Sequence, residues 1–464
     1  MNLHFFVKKS FIFIFFESYS LSLCEKVMNL LIDFSVKNFG CIKDEVTLSM
    51  EATKSDELED TYVIKQGKFR LLKLALIYGP NASGKTTILK AFEFLRDLIL
   101  LPQELKTDEL DFNPFLFDEN TEKSSSKFSL NFLVGEKHYF YSIEFSKKLI
   151  LKEELYVSNP KKSLVFLRET DPLEETTEIK FGNKIKIGSL SKKSLELNTL
   201  GNNSVLGGYL KTNINVEELK EVIDWFENFF KPVVFSRTIL ASFASNLIHN
   251  NKVSKNVITQ ILRKSDFYIT DIIFKEEEVE QELVIRFPFD NSKKVKVQKD
   301  EGVENENSSK VKRKIVKTFF THTVNEKNYP LPFQLESEGT KRYYGLAVLL
   351  VLMIENNNLF LIDELESSLH PDLITHFLIT YLSNTKNTQL IVTTHYRELL
   401  GNKDLFRNDV IWFTDKKKDG SIELYSLSDF KSKELRNTNN VLNFYKSGKL
   451  GAIPQLGDNY VELE

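Results

Sequence analysis

Gly79-Pro80-Asn81-Ala82-Ser83-Gly84-Lys85-Thr86 fits the pattern G-x-x-x-x-G-K-[ST] at every position, and its reading decides the fold. An apolar run at 72–78 precedes it and reads as a buried strand. Ile88, Leu89, Phe92 and Leu95 follow at helical spacing, so the loop opens a helix over 87–98. Strand, glycine loop and helix in that order make a phosphate cradle. The glycines let the backbone pass close to an anion with successive N–H groups turned inward, and the helix N-terminus adds its positive end. In such a cradle Lys85 reaches the β- and γ-phosphates of a nucleotide, and the Thr86 hydroxyl is a Mg²⁺ ligand. A Gly-rich turn without function is the bland alternative, and a second motif speaks against it.

That motif is Leu359-Phe360-Leu361-Ile362-Asp363-Glu364. Four apolar residues running into two acids read as a buried parallel strand with carboxylates at its end. Ligands of doubly wound sheets sit beyond the carboxyl ends of the strands. This places Asp363 beside the phosphate loop, holding Mg²⁺ through water, and Glu364 where it polarises an attacking water. Taken alone, the same run would read as a strand entering a solvated turn.

The 464 residues allow two or three domains. With 42% hydrophobic and 27% charged residues and a formal net charge of -3, nothing pulls the whole chain toward nucleic acid or membrane, so any such contact needs a local patch. Two cysteines, Cys24 and Cys41, make no framework of bridges and no C-x-x-C pair, and a reducing, cytoplasmic setting is the default. Residues 1–27 stand apart. Lys8-Lys9 before Phe11-Ile12-Phe13-Ile14-Phe15-Phe16 imitates a secretory leader, and Leu21-Ser22-Leu23-Cys24 imitates a lipoprotein site. The apolar run is short, Glu17 interrupts it, and a bilayer needs about 20 residues. The expectation is that Met28 is the natural start and that 1–27 is an over-extended reading frame or a disordered tail.

From Met28 the chain reads as a first strand over 30–39, a partner at 46–50, and a three-stranded meander at 127–134, 138–145 and 149–157, in which Tyr139, Phe140 and Tyr141 pack the sheet. Residues 160–215 turn polar with helix-like pieces. Residues 216–275 read as mostly helical, with Trp225, Phe226, Phe229 and Phe230 on an apolar face. Between Ser292 and Lys317 nine Lys or Arg meet four acids, so this tip, flanked by strands at 283–287 and 315–320, is either a solvated loop or a basic finger for nucleic-acid phosphates. Glu336-Ser337-Glu338-Gly339-Thr340-Lys341-Arg342 opens an apolar helix and makes a second anion-seeking helix start. One nucleotide site needs only one such loop, so the second serves the γ-phosphate held by another subunit, in a dimer with ATP at the interface. Pro371 opens a helix ending near Asn384, and a strand at 389–394 delivers His395.

The ordered set G-P-N-A-S-G-K-T, E-S-E-G-T-K-R, L-F-L-I-D-E-L-E-S-S-L-H-P and V-T-T-H resembles the ABC-type ATPase heads shared by SMC-like repair proteins and the OLD nucleases. V-K-N-F-G at Val36 and Y-K-S-G-K-L-G-A-I-P at Tyr445 resemble the compact bacterial ATPases of abortive-infection and restriction-linked phage-defence loci. The resemblance runs from Met28 to Pro454 and is weak over 160–320. It implies an α/β fold, an ABC-type P-loop ATPase head with a mixed sheet, flanking helices and an antiparallel β-subdomain, plus a mostly helical inserted lobe. The head would be split into 28–215 and 321–464, with the lobe at 216–320. It implies ATP and Mg²⁺ as cofactors. The nucleotide contacts would be Gly79, Pro80, Asn81, Ala82, Ser83, Gly84, Lys85, Thr86 and Thr87, with Ser337 and Gly339 reaching the opposite subunit's γ-phosphate. Thr86 and Asp363 would serve Mg²⁺. Lys85, Glu364 as general base and His395 as switch histidine would be catalytic, and Ser368 to His370 would cross the dimer interface.

Two departures stand out. Glu336 and Glu338 occupy the signature loop, where the usual ABC signature is Leu-Ser-Gly-Gly, and the glutamine loop has no better candidate than Gln103. About 70 residues follow His395, fewer than the roughly 100 of a typical domain, so an OLD-type Toprim nuclease would sit on another chain. Asp404, Asp409, Asp415 and Asp419 read as turn and surface residues, with a hairpin around Asp419-Gly420. Three functions follow as expectations: an ATP-hydrolysing regulator of a partner effector in phage defence, a DNA-repair or chromosome-associated ATPase, or a nucleotide-gated scaffold with negligible turnover.

Overall fold

A computed structural model of the chain describes residues 28–174, 176–265, 267–282, 310–402, 405–430 and 441–454. The readings placed on 1–27, on the strand at 283–287, on the Lys-rich tip over 292–309 and on Asp404 lie outside these residues. The described chain falls into two compact units, 1–238 with 350–464, and 239–349.

The first unit is built on the strand Leu74–Tyr78, whose five residues are all buried. A strand apolar on both faces belongs in the middle of a covered parallel sheet. It lies third in a five-stranded sheet ordered Leu359–Ile362, Gln389–Thr394, Leu74–Tyr78, Ile411–Lys416, Ile422–Ser426. The first four run parallel, and only the terminal hairpin turns back. Ile362 pairs with Val392, and Thr394 with Tyr78. Three strands therefore end side by side, and Asp363, His395 and Gly79 emerge at one edge.

A second, antiparallel sheet of seven strands is ordered Thr177–Phe181, Lys162–Thr170, Ile150–Ser158, Lys137–Phe145, Ser126–Val134, Asn29–Lys37, Val46–Ser49. The predicted meander is its centre, with Tyr139 and Tyr141 buried in it. Its outer strands at 162–170 and 177–181 replace the polar, helix-like reading, because Val165, Phe166 and Ile179 are buried there. The helix Lys85–Leu100 packs Phe92 on Phe34 of this sheet, at 4.0 Å between ring centroids.

Gln389 ties the two sheets together. It is fully buried; its Oε1 accepts from Leu31 N–H at 2.6 Å, and its Nε2 donates to the carbonyls of Leu31 and Leu72 at 3.0 and 3.1 Å. The Leu31 site is where the pairing of Asn29–Lys37 with Ser126–Val134 shifts register, which frees backbone groups for a side chain to satisfy.

The inserted unit begins at 239 rather than 216 and ends at 349 rather than 320. Trp225, Phe226, Phe229 and Phe230 are buried within the first unit, each contributing roughly 2 kcal/mol by area. Val234 N–H donates to Leu361 carbonyl at 2.9 Å, extending the head sheet. The unit itself holds helices Leu240–His249 and Lys255–Lys264 and a sheet of Ile269–Glu282, Lys310–Val324 and Lys327–Pro332, so it is less helical than expected. Register sets Glu278 opposite Lys314, Glu280 opposite Lys312 and Glu282 opposite Lys310. The register thus pairs a Glu-rich stretch with the described part of the Lys-rich one.

Asp409 is not a surface residue. It is buried, and its carboxylate accepts from Arg407 at 2.7 and 2.9 Å and from Thr53 N–H at 2.8 Å. Asp415 accepts from Ala452 N–H, and Asp419 from Ser421 N–H, each at 3.0 Å. Among the described residues no helix is long and apolar enough to cross a membrane.

Replacing Gln389 with Leu leaves the Leu31 and Leu72 groups buried and unpaired. Urea unfolding of this variant should show a loss of at least about 2 kcal/mol.

Candidate nucleotide site

The loop 79–84 is packed hard against the sheet. A Cβ at Gly79 would lie 2.4 Å from Thr414 Oγ1, and one at Gly84 2.4 Å from Ile422 Cδ1. Gly84 also has φ +93°, a conformation only glycine takes readily, at the N-cap of the helix. Ser83 Oγ bonds Thr414 Oγ1 at 2.6 Å, fixing the loop to the Ile411–Lys416 strand. Pro80, Asn81 and Ala82 form its less buried part, and Ala82 has φ +61°.

Lys85 is buried, and its ammonium donates to the carbonyls of Gly79 and Pro80 at 2.8 and 2.9 Å. Burial lowers its pKa to about 8, opposed by the carboxylates of Glu366, Asp363 and Glu364. Thr86 Oγ1 donates toward Asp363, 3.1 and 3.0 Å from the two carboxylate oxygens. Glu364 and His395 face each other, Oε1 to Nε2, at 3.9 Å, and His395 Nδ1 is 3.5 Å from Lys85 Nζ. Burial, then the Lys85 charge, holds the His395 pKa below its usual value. The structure therefore brings Lys85, Thr86, Asp363, Glu364 and His395 into one cluster.

Thr87 faces another way. The Gly40 backbone approaches so closely that a Cβ there would lie 2.8 Å from Thr87 Cγ2, and the Cys41 thiol donates to Thr87 Oγ1 at 3.3 Å. Ser337 and Gly339 belong to the inserted unit. Ser337 Oγ accepts from Thr340 N–H at 3.0 Å, capping its own helix; Glu336 bonds His322 at 2.7 Å, and Glu338 pairs with Lys341 at 2.8 Å. In the turn after Glu364, Ser368 has φ +62°, and His370 caps the helix Pro371–Asn384.

Two residues of the site carry no role in the sequence reading. Thr393 Oγ1 donates to Asp363 Oδ1 at 2.6 Å and accepts from Glu364 N–H at 2.8 Å, so one hydroxyl sets both acids. Glu364 itself has φ +47°, strained for a residue with a side chain, and this bond holds it there. Glu366 accepts from His395 N–H. Thr393 stands inside V-T-T-H, where a polar residue near the end of a buried strand is the available signal.

The residues fit Mg²⁺ and phosphate. Among the described residues no group of three or more His, Cys, Asp or Glu could hold a metal, whereas Mg²⁺ bound with phosphates needs only one or two protein ligands. Thr86 and Asp363 are placed to supply them. The first N–H groups of the helix Lys85–Leu100 lack intrahelical acceptors and suit phosphate oxygens.

The family described as "AAA domain, putative AbiEii toxin, Type IV TA system" matches residues 74–400, from the central strand to just past His395. The chain belongs to this AAA-domain family. No curated protein matches it. Among solved structures, the SMC head domain from Thermotoga maritima is similar at 14% identity and a TM-score of 0.38, over 85% of this chain and 98% of that one. A second, SmcHead bound to the C-winged helix domain of ScpA, is similar at 11% identity and 0.41, over 85% and 97%. The AAA family is one of ATPases, in line with the resemblance carried by the motifs.

Two measurements probe this AAA-domain site. With a Lys85 pKa of about 8 in the free chain, phosphates that raise it make binding take up a proton above pH 8. ATP affinity should then fall as pH rises from 8 to 9.5, with proton uptake visible by calorimetry in buffers of different ionisation enthalpy. Thr393→Val should lower kcat about tenfold or more at little change in ATP affinity, and Thr393→Ser should restore it.

Proposed function

We propose that this chain binds ATP with Mg²⁺ and hydrolyses it to ADP and phosphate at a head-to-tail interface between two copies. Its nucleotide state then gates a separate effector in abortive-infection defence against phage. The observation that carries the reading is the cluster in which Thr86 and Asp363 face each other at 3.0 Å with Lys85, Glu364 and His395 around them. Lys85 binds the terminal phosphates, and Glu364 orients water and accepts its proton as the terminal phosphorus is attacked. His395, 3.9 Å from Glu364, positions that carboxylate. Mg²⁺, held by Thr86 and through Asp363, offsets the phosphate charge when bound. Ser337 and Gly339 of the second copy complete the site.

The toxin–antitoxin term in the family's description supports a separate partner protein, for which a Toprim-type nuclease is one candidate. A scaffold with negligible turnover is the second reading, and the acidic signature loop favours it. Ser337 is engaged in capping its own helix, and the neighbouring Glu338 is exposed. The DNA-repair reading rests on the Lys-rich tip, whose residues 292–309 lie outside the described ones.

Glu364→Gln should cut turnover about a hundredfold or more while keeping ATP bound, and Lys85→Ala should lose binding itself. Effector protein recovered from host cells with Glu364→Gln and absent with Lys85→Ala supports the gated regulator. Unchanged turnover in Glu364→Gln removes its role as base, and a wild-type chain that binds ATP without turnover beside its partner favours the scaffold.

A further inference from the structure

Residues 230–234 run beside Leu359–Ile362 in parallel, Phe230 level with Leu359 and Val234 with Ile362. Their ladder carries one residue too many. Lys231 N–H donates to the Leu359 carbonyl at 3.0 Å and Val234 N–H to the Leu361 carbonyl at 2.9 Å, three residues apart on one strand and two on the other. That is a bulge, and Pro232 and Val233 lie inside it. Pro232 has no N–H to offer, and the N–H of buried Val233 is the donor that the ladder passes over. Glu93 takes it, its Oε2 accepting from Val233 N–H at 2.7 Å. Burial, then Asp97, raises the Glu93 pKa to about 7, opposed by this hydrogen bond and by Arg96. Protonated or ionised, the side chain keeps an oxygen that can accept.

Glu93 belongs to Lys85–Leu100, the helix that the phosphate loop opens. On the same helix, buried Arg96 donates from Nε to the Phe230 carbonyl at 3.1 Å, and the Phe92 ring meets that of Phe230 edge-on, 5.9 Å between centroids. One helix therefore holds both ends of the bulged segment. At its start, Thr86 Oγ1 lies 3.0 Å from an Asp363 carboxylate oxygen, and Asp363 N–H donates to the Val234 carbonyl at 2.8 Å. The bonds close a ring, from Thr86 to Asp363, Asp363 to Val234, Val233 to Glu93, and back along about 10 Å of helix. A regular ladder would give the Val233 N–H the Leu361 carbonyl that Val234 now holds. That one-residue slip would withdraw the Val234 carbonyl from Asp363 and turn side chains over.

We propose that Glu93 is a positioning residue for the acid that serves Mg²⁺: by holding Val233 it keeps the bulge, and through Val234 it sets Asp363 against Thr86. This rests on the reading of Thr86 and Asp363 as the metal side of the nucleotide site.

The test measures the ATP affinity of the full chain by calorimetry, with Mg²⁺ and with a chelator in its place. In the wild type Mg²⁺ should tighten ATP. Glu93→Leu should lose about tenfold in affinity with Mg²⁺ and stay within about twofold of the wild type in chelator. Glu93→Gln, which keeps an acceptor, should match the wild type in both. Should Glu93→Leu fail to fold, Glu93→Asp, one methylene shorter, replaces it with the same expectation. Unchanged affinity with Mg²⁺ overturns the proposal. Equal losses with Mg²⁺ and with chelator overturn it too, by making Glu93 a prop for the helix, as does a Glu93→Gln variant no better than Glu93→Leu. A wild type that gains nothing from Mg²⁺ removes the metal reading and the proposal with it, and one that binds no ATP removes the phosphate site itself.

Discussion

The site depends on three parallel strands ending at the same level. Leu359–Ile362, Gln389–Thr394 and Leu74–Tyr78 are paired in register. A one-residue slip in either pairing would turn side chains to opposite faces and separate Asp363, His395 and the glycine loop. Two polar side chains guard that register from inside an apolar sheet. Gln389 fastens the start of the middle strand to the neighbouring sheet, and Thr393 fastens its end to the acidic turn. Buried polar groups are costly unless satisfied, and both are fully used here.

The central elements were legible because their physics is local. A five-residue apolar strand, a glycine loop and a helix follow one another in sequence, and the acidic pair ends an equally apolar run. Pro371 at the first position of its helix was legible for the same reason. What escaped were pairings between distant residues. The strands at 162–170 and 177–181 carry Lys, Glu and Arg among their apolar residues, and Arg168 is buried by its bonds to Asn203 and Gly201 carbonyls, which no local pattern announces. Asp409 reads as a turn residue because one partner, Arg407, is local, whereas the other, Thr53, lies far back in the chain. The lobe boundary was misplaced since Trp225 to Phe230 show an apolar face without saying which unit it covers.

The signature loop shows how a departure from a family pattern is accommodated. Glu336 has a fixed partner in His322, and Glu338 has one in Lys341. Glu338, in the first turn of the helix, also interacts favourably with its dipole. The presence of the two acids thus has a local stabilising account.

Lys85 already has two acceptors, the carbonyls of Gly79 and Pro80. A phosphate reaching that ammonium is therefore a competitor, and its affinity is the difference between two sets of hydrogen bonds rather than the strength of one. The geometry of Pro80, whose ring fixes its φ, belongs to that balance as much as the lysine does. Loop residues other than the lysine can in this way tune how tightly a phosphate is held.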